Sequence, residues 1–167
     1  MVQYAKRGIP TTIRCKVYKR ILYAEIGQRE SDHFENLVES LNTWELALDD
    51  MIKADINAVC NDDKYFIFQE IIDTCVQCFF RDRSVLDQLK VKPHAPVICL
   101  NANDKVIGAF PPCGVIPHKR FSQLFAPLGF LSSNQEECYF IFRAMYCKYF
   151  CNLYNISSHP HSILTQS

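Results

Sequence analysis

Neither charge nor glycine is in surplus in this sequence. Lysine plus arginine number 18, as do aspartate plus glutamate, so the formal net charge is zero. A nucleic-acid partner asks for a basic excess that releases counterions, so no nucleic-acid partner is expected. No run of about 18 apolar residues occurs, so no membrane span is expected. The opening MVQYAKRGIPTTIRCK lacks the apolar core of a signal peptide, and the chain is expected to be cytoplasmic. A GxxxxGKS loop, a GxSxG elbow and an HExxH pair are all missing, which leaves an ATPase, an α/β-hydrolase and a zinc protease without support. Internal repeats and low-complexity runs are missing too.

What is present is a globular composition: 167 residues, 49% hydrophobic and 22% charged. That length suits one domain with its own core. Aromatics are abundant, with 12 phenylalanines and 8 tyrosines, and imply a thick aromatic core or a partner surface. The nine cysteines are an odd number and are scattered, which is no disulfide framework.

Helical periodicity dominates the chain. A helix is expected from Pro10 to about Ala24, ending near Gly27, with Ile13, Val17, Ile21 and Leu22 as its stripe. A second starts near Asp32, with Glu35 in capping-box order and Phe34, Leu37, Val38 and Leu41 inward. A third runs from Thr43 to about Ile56, and Asn61-Asp62-Asp63 breaks the chain after it. The fourth, Lys64 to Phe80, places Tyr65, Phe68, Ile72, Cys75 and Phe79 on one face. Residues 89–118 are proline-rich and read as a long loop or insertion, with a short β-hairpin near 97–107. A short helix follows at Phe121–Phe125, resuming past Pro127. The capping box Ser133-Asn134-Gln135-Glu136 opens a helix to about Tyr154 that is apolar nearly all round and therefore central. The expected fold is all-α, with five or six helices.

Chemistry is sparse. Cys75-Val76-Gln77-Cys78 has the spacing of a zinc or redox motif, and Cys147 and Cys151 could supply a second pair. Both pairs fall within helices among aromatics, so core packing is preferred to either chemistry. His159-Pro160-His161 reads as tail rather than ligand. No cofactor and no metal is expected. A helical domain with no active site of its own suits a protein that acts on another protein.

The stretch Gly8-Ile9-Pro10, with Arg14 four residues on and Tyr18 in the place of a tryptophan, resembles the opening of a TBC domain. That is the all-helical catalytic domain of Rab GTPase-activating proteins. The family's second motif is Ile, two residues, Asp, two residues, Arg-Thr. Here Ile52 and Asp55 match, and Ala58-Val59 replace Arg-Thr. The third, Tyr-x-Gln-Gly, lies shortly before an Ala-Pro-Leu. Here Ala126-Pro127-Leu128 is present, and Pro117, His118, Lys119 and Arg120 occupy the motif. A whole TBC domain runs longer, so the chain, residues 1–167, is expected to be one incomplete domain comprising its N-terminal part.

The resemblance implies a Rab-family small GTPase as partner, recruitment to membranes through it, and a role in membrane trafficking. In the family the arginine neutralises charge developing on the γ-phosphate and the glutamine orients the attacking water. An arginine supplied in trans is worth about 10³–10⁵ in rate. The arginine-finger position is Ala58 and the glutamine-finger position is Lys119, so no catalytic residue is assigned, and catalysis is expected to be weak or absent. Asp55, Lys119 and Arg120 are the candidate GTPase contacts. A non-catalytic GTPase-binding or scaffold module, and a non-functional fragment, stay open as alternatives.

Overall fold

The structure, a computed structural model, describes residues 8–89, 99–102, 105–108 and 111–151. Among these, seven α-helices and a small three-stranded sheet alternate with short 3₁₀ turns. The all-α class and the short hairpin agree with the sequence reading, with seven helices among the described residues where five or six are expected. Val97, Ile98, His94, His159, His161 and the expected far end of the last helix lie outside the described residues.

Helix α1 (Thr11–Leu22) starts after Pro10 as expected. It stops before Gly27 because Tyr23 takes a left-handed conformation, φ 57°, and the Ala24 N–H closes onto the Lys19 carbonyl at 2.9 Å. The inward face also differs. Cys15, Tyr18 and Leu22 pack toward the core, whereas Ile13 and Ile21 are both 46% exposed. The cause is polar. Lys19 Nζ sits 2.6 Å from Glu137 Oε1, and the Cys15 thiol donates to Glu137 Oε2 at 3.3 Å. This turns the helix away from its aliphatic stripe.

Helix α2 (Gln28–Thr43) opens a turn earlier than Asp32. Glu30 reaches back to accept the Gly27 N–H at 3.1 Å, while Asp32 accepts from Gln28 within the helix. The segment after it is extended as strand β1 (Glu45–Leu46), so helix α3 (Asp49–Cys60) begins later than Thr43. Asp49 decides this. Its Oδ2 accepts both the Leu46 N–H at 2.8 Å and the Arg81 guanidinium at 2.6 Å. The expected fourth helix splits into a 3₁₀ turn, Phe66–Phe68, and helix α4 (Gln69–Arg81). A further helix, α5 (Arg83–Gln88), comes at once, capped by Asp82 through the Ser84 N–H.

Strands β2 (Cys99–Ala102) and β3 (Lys105–Gly108) form an antiparallel hairpin, and β1 adds to β3 in parallel with Glu45 opposite Ile107. Helix α6 (Ser122–Phe125) runs into a 3₁₀ turn, Ala126–Phe130. Gly129 is obligatory there, since a Cβ would lie 2.5 Å from the Phe68 ring. Helix α7 (Gln135–Met145) is capped by Asn134 Oδ1 on the Glu137 N–H at 3.1 Å, one residue later than the expected Ser133. It then widens into a π-turn, Tyr146–Phe150.

Helix α4 is the hub, touching α2, α3, α6 and α7. Ile72, Cys75, Val76, Cys78 and Phe79 on it are fully buried. Cys75 and Cys78 thus serve the core, and burial pushes the Cys78 thiol up to about 12. Phe79, Phe80, Phe121, Phe125, Phe142 and Tyr146 form one aromatic cluster, with ring centroids as close as 4.7 Å. Edge-to-face and tilted pairs of this kind add to burial alone.

The α4–α5 junction carries a buried carboxylate. Asp82 is fully buried and accepts from Tyr139 Oη, from the Ser84 N–H and hydroxyl, and lies 3.1 Å from His33 Nε2 and 3.4 Å from Arg143 Nη1. Burial alone would raise its pKa. The hydrogen bonds from Tyr139 and Ser84, and the His33 and Arg143 charges, outweigh that and hold it below the ordinary 3.8. A carboxylate with a lowered folded pKa stabilises the fold above its unfolded pKa and loses that contribution as pH falls through the folded value. Removing a donor to it by Tyr139→Phe is expected to cost about 2 kcal/mol at neutral pH. It should also bring acid unfolding on at higher pH than in the unaltered chain. Urea unfolding followed across the acid range checks both.

Candidate functional site

The positions singled out by motif come together at one place. On α3, Met51, Asp55 and Ala58 fall on one face, because residues three and four apart share a side of a helix. That face, with Ile52 and Ala54, forms one wall of a pocket of about 300 Å³. The opposite wall is Pro117, His118 and Lys119, and its floor includes Phe80 and Phe121. Ala58 and Lys119 therefore line the same cavity although they lie far apart in the chain.

The loop bearing Lys119 is held from both ends. Phe121 is 1% exposed and packs on Phe80 with centroids 4.7 Å apart. His118 Nδ1 lies 3.0 Å from the Lys119 carbonyl oxygen, and its ring meets Phe121 edge-on at 5.5 Å. Asp55 supplies the second tie. Its Oδ1 accepts the Arg120 N–H at 2.5 Å and its Oδ2 the Ser122 N–H at 2.8 Å. Ser122 is the first residue of α6, so Asp55 caps that helix from across the pocket. Asp55 is thus a positioning residue for the loop, with both carboxylate oxygens engaged. Local sequence pattern holds no signal for this, because its partner amides lie in a distant loop.

Arg120 adopts φ 72°, one of only two non-glycine residues with positive φ among the described residues. Side chains other than glycine are strained there. The third motif puts glycine at this position, and the backbone here has the shape that a glycine takes freely. Lys119 and Arg120 are both exposed beside the pocket.

The opening motif has a structural job. Arg14 folds back, with Nε and Nη2 donating to the Ile9 carbonyl at 3.2 and 3.0 Å, which fastens the chain entering α1. Tyr18 lines a different, larger groove of about 480 Å³ between α1 and α7, with Ile21, Phe130, Met145 and Tyr149. Neither Ala58 nor Lys119 lies on that groove. Ala126 and Leu128 of the Ala-Pro-Leu are buried side chains of the 3₁₀ turn itself.

The chain is 33% identical, over an alignment of 169 residues, to the human protein TBC1 domain family member 19. The chain is related to the TBC-domain family. The match covers 98% of this chain and 32% of the human protein, so the chain spans about a third of that relative's length. No family model and no solved structure matches the chain. The pocket thus brings Asp55 and Ala58 of the second motif stretch together with Lys119 of the third.

Two substitutions separate these roles. Arg120→Gly is expected to stabilise the fold by up to about 1 kcal/mol by relieving the left-handed strain. Asp55→Ala strips two amides of a charged acceptor and is expected to cost about 2–3 kcal/mol. It should also speed hydrogen exchange at the Ser122 amide. Thermal melts and amide exchange of the two variants give the readouts.

Proposed function

We propose that the chain is a TBC-type module that binds a Rab-family small GTPase and accelerates GTP hydrolysis weakly or not at all. One observation carries the reading: Ala58 and Lys119, assigned to the two fingers by separate motifs, line one pocket. Two chance alignments would have no reason to converge in space. The left-handed backbone at Arg120, where the motif calls for glycine, supports the same register.

The chemistry comes from what those positions lack. In phosphoryl transfer, negative charge shifts toward the leaving oxygen, and a cation must sit close in a water-poor site. Ala58 has neither charge nor reach. The Lys119 ammonium, while protonated, has no lone pair with which to orient a water molecule. Lys119 and Arg120 are the cations left to meet the GTPase, and Asp55 sets the loop that presents them. A face with a formed pocket and two cations at its rim, but without finger chemistry, is suited to binding.

Against a panel of purified Rab-family GTPases, the chain is expected to form a complex with at least one and to raise its hydrolysis rate less than about tenfold. The pair Ala58→Arg with Lys119→Gln should raise hydrolysis above either single change, because the arginine supplies the missing charge. Strong activation by the unaltered chain, insensitive to Lys119→Ala and Arg120→Ala, would overturn the reading. Complex formation and single-turnover hydrolysis measured together decide it.

A further inference from the structure

We infer that the pocket beside Ala58 is a receptor for a large apolar side chain of the GTPase, carried on an acidic segment. The inference rests on the proposed GTPase binding and names what the partner must present.

The pocket is apolar where a finger side chain would otherwise leave α3. Its walls are chiefly Met51, Ile52, Ala54, Phe80, Pro117 and Phe121. The carboxylate on it, Asp55, spends both oxygens on the Arg120 and Ser122 amides. A guanidinium or ammonium entering from the partner would find the one carboxylate already engaged by two amides and would pass the like charges of Lys119 and Arg120 at the rim, so its desolvation would be poorly repaid. An aliphatic or aromatic side chain meets no such penalty and fits within a pocket of about 300 Å³ whose lining is mainly apolar.

The rim specifies the flanking charge. Lys119 and Arg120 are exposed, and neither has a salt-bridge partner among the described residues. Positive potential at the mouth of an apolar hole favours a guest residue with carboxylates beside it. The hole is also preformed. Phe80 and Phe121 are each 1% exposed within the aromatic cluster, and Asp55 pins the loop. Little ordering is left to be done on binding, which is the condition under which a buried anchor contributes most. The direction of insertion is thus reversed relative to a finger: the GTPase would insert a side chain into this chain.

The probe is a panel of purified Rab-family GTPases loaded with a non-hydrolysable GTP analogue, with dissociation constants read by calorimetry. For any GTPase that binds, Ala58→Trp, which fills the mouth, is expected to weaken binding at least tenfold at every salt concentration. Lys119→Glu should weaken it most at low ionic strength, because surface charges are screened by salt. An alanine scan of that GTPase should find an apolar residue whose effect vanishes in the Ala58→Trp background. If Ala58→Trp lowers the melting temperature, Met51→Ala, at the exposed rim, takes its place with an expected loss of several-fold. Binding by a natively melting Ala58→Trp that stays within twofold of the unaltered chain overturns the inference and leaves the GTPase-binding reading standing. Binding by no GTPase at all overturns both.

Discussion

Everything in this fold hangs on two consecutive residues of opposite charge at the end of α4. Arg81 and Asp82 are adjacent in sequence, both buried, and aimed at different neighbours. Arg81 pairs with Asp49 at 2.6 Å, donates to the Trp44 carbonyl at 3.4 Å and sits 5.3 Å from the Trp44 ring centroid. It thereby fixes β1 and the start of α3. Asp82 gathers His33 from α2, Ser84 from α5, and Tyr139 and Arg143 from α7. An ion taken out of water is tolerated only where such partners are in place. The two residues therefore demand that four helices and a strand arrive in one arrangement, while the apolar faces around them would accept several.

The candidate site inherits its geometry from this pair. Because Asp49 is held by Arg81, the first turn of α3 is fixed against α4, and Ala58 and Phe80 line the pocket from the two helices. Because Phe121 is wedged into the aromatic cluster, the loop across the pocket is fixed from its other side. Asp55 then needs only to bridge two parts that are already in position. The side chains of Ala58 and Lys119 make none of the hydrogen bonds or ion pairs that hold this frame, so both are open to substitution without unfastening it.

The sequence is readable where one rule acts alone. Ile72, Cys75 and Phe79 recur at helical spacing and are buried on α4, and Cys99–Ala102 pairs with Lys105–Gly108 as a hairpin. It misleads where a polar contact from far away overrides the local pattern. Ile13 and Ile21 form the better apolar stripe of α1, yet the Lys19–Glu137 pair rotates the helix the other way. Asp49 looks like a mid-helix residue until Arg81 is placed beside it. The helix from Gln135 reads as one uninterrupted wheel, but the π-turn at Tyr146–Phe150 breaks its phase. The positions of Asp55, Ala58 and Lys119 are legible through the motifs, and the structure alone brings them to one pocket. The clamp by Asp55 and the strain at Arg120 are not, because backbone amides and φ angles leave no trace in residue spacing.

The partnership of α1 with α7 also has a cost in time. Lys19 and Glu137 are separated by 118 residues, and among the described residues α1 has no fully buried side chain. On a ribosome adding about 5–20 residues per second, α1 would be made roughly 6–24 s before its partner helix. Through that interval Ile13, Tyr18, Ile21 and Leu22 stand on a helix of twelve residues that is marginal by itself. Until α7 is made, α1 stays unclaimed, a window in which a chaperone or a misplaced neighbour competes with α7 for the same face.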